Sequence, residues 1–424
     1  MKKIINFIKT KFKSLGPGFV TGAADDDPSG VATYSIAGAQ FGYKLNWLSL
    51  FLIPMMTSIQ EMCGRIGMTS GMGLAGVIKK FYSRKLLLFA VSLLLVANVI
   101  NISADLGIMA ASLQMILGLP FLIWLVVITL FSILLEVLVP YKKYFVYLKW
   151  MGLTLLVYGV TAFITKQDWL SVLKYTLIPH IDFNLMYFMT AVGFIGTTIS
   201  PYLFFWQASE EVEEEIENGK IKDFEDKPKV ERSEIQTMRK DTTLGMIFSN
   251  LISTFIVLTT AATLHNSGIT NIESPAQAAL ALKPLAGDFA YLLFTIGIIG
   301  IGLQSVPVLA GGVAYAFSES FNLKEGLSKK FYQAKTFYLV IGIATLLGAL
   351  LNLVGINPIK ALYYSAIING VISVPLIAII IKLADNEKIV GKFKTGRKEK
   401  IIAWITLLFV SLASLLMLVG LLKK

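Results

Sequence analysis

The chain has 424 residues, 55% of them hydrophobic and only 15% charged, and its mean hydropathy is +0.69. Soluble domains carry about a quarter charged residues, so the composition excludes a soluble globular protein and indicates an integral membrane protein. The formal charge of +11 does not argue for nucleic acid, because the lysines and arginines gather in alternate loops.

Taken in chain order, Met1 to Lys13 sets Ile4, Ile5, Phe7 and Ile8 among lysines. Lys9, Lys11 and Lys13 interrupt the apolar stretch that a signal peptide needs, so a short helix on the membrane surface is expected. About eleven runs then reach the roughly 20 residues that a bilayer crossing requires. They lie near 16–40, 46–69, 85–115, 119–139, 144–165, 185–208, 242–264, 287–317, 332–353, 357–383 and 399–422. The fold class read from this is an all-α membrane protein, one transmembrane domain over 1–424. Its halves are 16–165 and 185–383, with 399–422 as an additional helix.

If the spans alternate, one side collects Lys79, Lys80, Arg84, Lys85, Lys142, Lys143, Lys324, Lys329, Lys330 and the cations from Lys388 to Lys400. The positive-inside rule then puts the N-terminus in the cytoplasm and the C-terminus outside, in the cell membrane. The charged stretch Ser209 to Thr242, opened by Glu210, Glu211, Glu213, Glu214, Glu215 and Glu217, is expected to be a solvated helix extension and loop. A sharper reading makes it an acidic vestibule for cations. Trp169 to Leu177 and Ala276 to Leu285 are expected to be short amphipathic helices on the outer side. The single cysteine, Cys63, excludes an internal disulfide, and two histidines, His180 and His265, are too few for an ordinary zinc site.

Two membrane-length runs are interrupted by proline among small polar residues. The first reads Asp25-Asp26-Asp27-Pro28-Ser29-Gly30, the second Gly196-Thr197-Thr198-Ile199-Ser200-Pro201-Tyr202. Unwound backbone in a bilayer is tolerated only against protein or a water-filled cavity. Paired interruptions at corresponding places in two halves therefore point to a transporter's binding site. Proline pushes Asp27 away from helical geometry, which ends the first half-helix on unpaired carbonyls beside a carboxylate. Carboxylate and carbonyl oxygens suit a hard divalent cation. Gly30 leaves room for retained water, while Asp25 and Asp26 point elsewhere, with one or both facing the aqueous approach. Thr197 and Ser200 offer hydroxyls and a carbonyl at the second break. Glu61, Asp105 and Glu136 are the other intramembrane acids. Glu61 has Arg65 one turn on and reads as a structural pair. Asp105, near Asn101 and Ser103, reads as a pathway residue, as do Asp26, Tyr202 and Asn369; Gln304 is a weaker candidate.

At these breaks the chain resembles the NRAMP family of divalent metal transporters, whose first span carries Asp-Pro-Gly-Asn and whose sixth carries Ala-x-x-Met-Pro-His. The resemblance extends to Gly16-Pro17-Gly18, to Gln60-Glu61 with Arg65-Ile66-Gly67, and to Ala104-Asp105-Leu106. It implies a LeuT-like inverted-repeat fold with spans one and six broken. It also implies a metal held by Asp27, Gly30, Thr197 and Ser200, the family's aspartate mapping to Asp27 and its carbonyl ligand to Thr197.

The departures are informative. The family's asparagine is Gly30 here, and its methionine is Ser200. Losing the soft thioether removes discrimination against Mg²⁺, and losing the asparagine enlarges the site. This is the pattern of the NRAMP-related magnesium transporters. The family's histidine is Tyr202, and the acid one turn after Asp105 is Ile108, so the usual proton route is interrupted. Uptake of Mg²⁺, with Mn²⁺ admitted, down the electrochemical gradient is the expectation. Alternatives are a proton-coupled Mn²⁺ or Fe²⁺ transporter and a sodium-coupled amino-acid symporter of the same fold. A channel and an intramembrane aspartyl hydrolase on Asp27 and Asp105 are weaker rivals. No enzyme activity, cofactor, nucleic acid or obligatory protein partner is expected, only the metal ion and the lipid bilayer.

Overall fold

The computed structural model describes residues 16–139 and 153–423. The expected surface helix at 1–13, the loop lysines Lys142 and Lys143, and the first part of the run at 144–165 lie outside them. Among the described residues the chain is helical throughout, without strands. Eight segments are long and apolar enough to cross a membrane. The broken pair α1 (Pro17–Asp25) and α2 (Pro28–Phe41), helix α3 (Trp47–Ser70) and α7 (Leu156–Ile164) complete the bundle. Short α4 (Leu74–Phe81) links α3 to α5 (Arg84–Leu117). Then come α6 (Phe121–Leu138), α8 (Trp169–Leu177), a second broken pair α9 (Leu185–Thr198) and α10 (Pro201–Glu217), and α11 (Arg232–Thr263). Two short helices, α12 (Pro275–Ala279) and α13 (Lys283–Ala286), precede α14 (Ala290–Phe321). The chain closes with α15 (Lys335–Leu351), α16 (Pro358–Ala384), short α17 (Glu387–Val390) and α18 (Arg397–Leu422).

The broken pairs lie at the centre, and both are interrupted for one reason. Proline has no N–H and disfavours the helical region for its predecessor. Asp27 is accordingly extended, at φ −70° and ψ 174°, and Ser200 likewise at φ −86° and ψ 133°. Each becomes the N-cap of the second half-helix, with proline at its first position. Glycine lets the first halves pack without an intervening side chain. A Cβ on Gly22 of α1 would collide with the Gly245 backbone of α11. One on Gly196 of α9 would collide with Ala366 O and Gly370 of α16.

The acidic stretch departs from expectation. The helix extension is there, running through Glu217, but Glu210, Glu211, Glu213 and Glu215 are buried, not solvated. Their neighbours explain this. Glu213 accepts from the Tyr315 hydroxyl of α14 and from Leu327 N, both at 2.8 Å. Glu211 accepts from Gln207 Nε2 at 2.7 Å, and Glu215 meets Lys220 at 3.0 Å. Lys220 also meets Glu234 at 2.6 Å. Burial pulls the Lys220 ammonium down, but the two carboxylates outweigh it and hold it above its ordinary range. In the connection after α14, burial, then Glu319 and Glu213, push the Glu325 carboxyl well up.

The expected Glu61–Arg65 pair is present at 4.0 Å, but each member has a nearer partner on another helix. Arg65 meets Glu399 of α18 at 3.0 Å, and Arg239 of α11 meets Glu61 at 3.1 Å and also pairs with Glu399. The four charges tie α3, α11 and α18 together at one end of the bundle.

Candidate ion site at the two helix breaks

Asp27 is buried, and its side chain closes its own half-helix. Oδ1 accepts from Gly30 N at 2.7 Å and from Ser29 Oγ at 2.6 Å, the first bond being the N-cap. Oδ2 has no protein partner. Ser29 Oγ also lies 3.4 Å from Thr197 Oγ1, which brings the two breaks into contact. At the second break Ser200 Oγ donates to Gly196 O at 2.8 Å and Thr197 O at 2.9 Å. A carbonyl has two lone pairs and a hydroxyl two more, so Thr197 O and Ser200 Oγ keep acceptor capacity. Gly30 is closely packed. A Cβ there would stand 3.2 Å from Thr197 Oγ1, 3.3 Å from Tyr34 Cε2 and 3.5 Å from Asp25 O, so the neighbours would have to give way.

The remaining named residues fall around this centre in different ways. Tyr202 donates from its hydroxyl to Ala24 O at 3.0 Å, linking α10 to the end of α1. Asn369 is buried on α16 beside Gly370, which packs on the second break. Asp105 accepts from Ser305 Oγ of α14 at 2.6 Å. Ser103 belongs to another face of α5, where Asn352 Nδ2 donates to its carbonyl at 2.9 Å. Asp25 and Asp26 do not face an aqueous approach. Both are buried, and Ser249 Oγ of α11 donates to Asp25 Oδ2 at 2.6 Å and lies 3.3 Å from Asp26 Oδ1. Glu136 is buried at the far end of α6, away from this group.

Hydrogen-bonded contacts flank the centre on both sides. Tyr34 bonds Thr198 at 2.9 Å and packs on Phe194, and beyond it Tyr363 bonds Thr190 at 2.8 Å. On the other side Asp241 of α11 caps α1, accepting from Gly16 N at 2.9 Å and Phe19 N at 3.0 Å. A carboxylate there complements the positive end of the helix dipole. Far from the centre, the Lys44 ammonium at 3.0 Å, against burial and with a hydrogen bond to His180 beside it, holds the Asp182 carboxyl below the usual range.

Among the described residues, no three His, Cys, Asp or Glu side chains form a cage for a metal. An ion at the breaks would therefore meet one free carboxylate oxygen, hydroxyls, a carbonyl and its own water. That donor set suits a hard, partly hydrated divalent cation. Ser29, Ser249, Tyr34, Thr198 and Ser305 were not singled out in the sequence. Only Ser29, two residues after an N-cap, carried a local signal; a lone serine in an apolar helix carries none.

The family model described as natural resistance-associated macrophage protein-like matches residues 18–420. The chain belongs to the Nramp family. Its fold is shared with a manganese transporter of Eremococcus coleocola, at 18% identity and a TM-score of 0.73, over 98% of this chain and 87% of that one. Mhp1, a nucleobase-cation-symport-1 family transporter, aligns at 11% identity and 0.63, over 96% and 90%. MhsT, solved with L-phenylalanine, aligns at 12% and 0.60, over 95% and 98%. The architecture is thus the LeuT-like inverted-repeat fold with the first and sixth spans broken. As a member of the Nramp family, this multi-pass membrane protein is a divalent metal transporter rather than an enzyme.

Proposed function

We propose that this Nramp protein takes up Mg²⁺, and Mn²⁺ as well, without coupled protons. Asp27, Thr197 and Ser200 hold the ion, with the backbone of Gly30 beside them. Asp105, Tyr202 and Asn369 line the route. The observation that carries this reading is the free Oδ2 of Asp27 beside a second break whose donors are all oxygen. No thioether takes the place of Ser200, so nothing at that position favours a softer metal. Tyr202, where the family has histidine, holds a backbone carbonyl, and the chain's two histidines bond Ala39 O and Asp182 instead. Energy need not come from protons. A potential of roughly 100 mV is worth about 4.6 kcal/mol for a divalent ion, over three decades of accumulation.

The loop cations support a cytoplasmic N-terminus, an outer C-terminus and placement in the cell membrane. Two repeats, 16–165 and 185–383, then face each other across the breaks. The test is reconstitution in liposomes with a Mg²⁺ dye and a pH dye read together. Mg²⁺ arrival without acidification is expected. Parallel acidification would move the protein to the proton-coupled class, and labelled amino-acid uptake without metal uptake to the symporters.

A further inference from the structure

Helices α5 and α14 enclose polar groups that the breaks do not use. Asn98, Asn101 and Asp105 recur at helical spacing and share one face of α5. Two of them anchor α14, which runs antiparallel. Asn98 Nδ2 donates to Leu309 O at 2.8 Å, and Ser305 Oγ donates to Asp105 Oδ2 at 2.6 Å. Asn101 sits between these anchors, and neither atom of its amide has a partner. Gln304, the chain neighbour of Ser305, is in the same condition, and Asn98 Oδ1 and Asp105 Oδ1 are unpartnered too. All four side chains are buried to 1% exposure or less. Gly312 of α14 brings the group to the second break: a Cβ there would stand 3.5 Å from Asn98 Nδ2 and 3.7 Å from the carbonyl oxygen of Tyr202, two residues beyond Ser200.

Buried polar atoms without partners are costly, most of all inside a membrane, where leucine or methionine would pack at no such cost. Retained amides therefore signal a ligand. Their chemistry says which one. The NH₂ groups of Asn101 and Gln304 repel a bare cation, whereas buried water satisfies about three such groups at once. Water already bound to a metal points its hydrogens outward and needs acceptors. Asn98 Oδ1, Asn101 Oδ1, Asp105 Oδ1 and Gln304 Oε1 are four. Mg²⁺ dehydrates reluctantly and keeps several waters.

We propose that Asn98, Asn101, Asp105 and Gln304 form an outer-sphere pocket that receives the waters a divalent ion retains at Asp27. The inference rests on the transport reading above. Its test is the double variant Asn101→Leu, Gln304→Met in liposomes, with Mg²⁺ and Mn²⁺ uptake measured separately beside wild type. Loss of outer-sphere partners should cut Mg²⁺ uptake about ten-fold or more, with a smaller loss for Mn²⁺. The rise in melting temperature that Mg²⁺ gives wild type should shrink in the variant. An unchanged Mg²⁺ to Mn²⁺ ratio, with higher melting temperature in the absence of ion, would mean a dry helix contact and overturn the pocket alone. Wild type carrying neither ion would overturn the transport reading and the pocket with it. Should the variant not fold, a wild-type map in Mg²⁺ decides. Water density within hydrogen-bonding distance of Asn101 and Gln304 supports the pocket, and its absence refutes it.

Discussion

The two helix breaks solve one backbone problem with opposite chemistry. At the first, an acidic acceptor, Asp27, takes the Gly30 N–H at the start of the new half-helix. At the second, a neutral donor, the Ser200 hydroxyl, covers the free carbonyls at the end of the old one. A charge thus stands on one side of the centre only, with one of its oxygens unengaged. The lesson is that capping and ion binding are combined in Asp27 and divided at the second break, where Ser200 caps and Thr197 O remains available. Substitutions at Asp27 should therefore strike transport hard, and those at Ser200 should mainly alter which metal passes.

The largest expected effect comes from Asp27→Asn, which keeps an N-capping oxygen while removing the charge. Uptake should fall to background in liposomes, with melting temperature little changed; retained uptake would show that the charge at the first break is dispensable. Next is Ser29→Ala, which frees Asp27 Oδ1 and unlinks the breaks. An apparent affinity weaker by about 10–100-fold is expected from concentration dependence, as for other lost second partners of metal ligands. Gly30→Asn crowds Thr197 and Tyr34 and adds an amide ligand, so Mg²⁺ uptake should drop more than Mn²⁺ uptake in a competition assay. Ser200→Met places sulfur at the neutral break and should shift that ratio towards Mn²⁺ by several-fold; an unmoved ratio would refute the softness argument. Smallest is Asp241→Asn. It weakens the hold on the N-terminus of α1 by about 0.3–1 kcal/mol. Faster proteolysis or cysteine labelling near Gly16 should report the looser end.

The breaks were legible because proline imposes its geometry locally. Asp27-Pro28 and Ser200-Pro201 had to end one helix and start another, whatever surrounded them. The contact between them was not, since Ser29 meets Thr197 only after the whole chain has folded. The acids from Glu210 to Glu215 misled for the complementary reason. A run of like charge reads as solvated, and nothing local announces that Tyr315, Leu327 N and Lys220 will cover it. Glu61 was likewise paired with its nearest neighbour in sequence, whereas the bundle brings Arg239 nearer. Asp25 and Asp26 turned on Ser249, an isolated serine whose position in α11 no periodicity singles out.

The most direct measurement is an anomalous difference map from the protein loaded with Mn²⁺. The account predicts a single strong peak bonded to Asp27 Oδ2 and facing Thr197 O and Ser200 Oγ, with water completing the shell. A peak among the acids of α10 instead, or a sulfur atom in the coordination sphere, would contradict it.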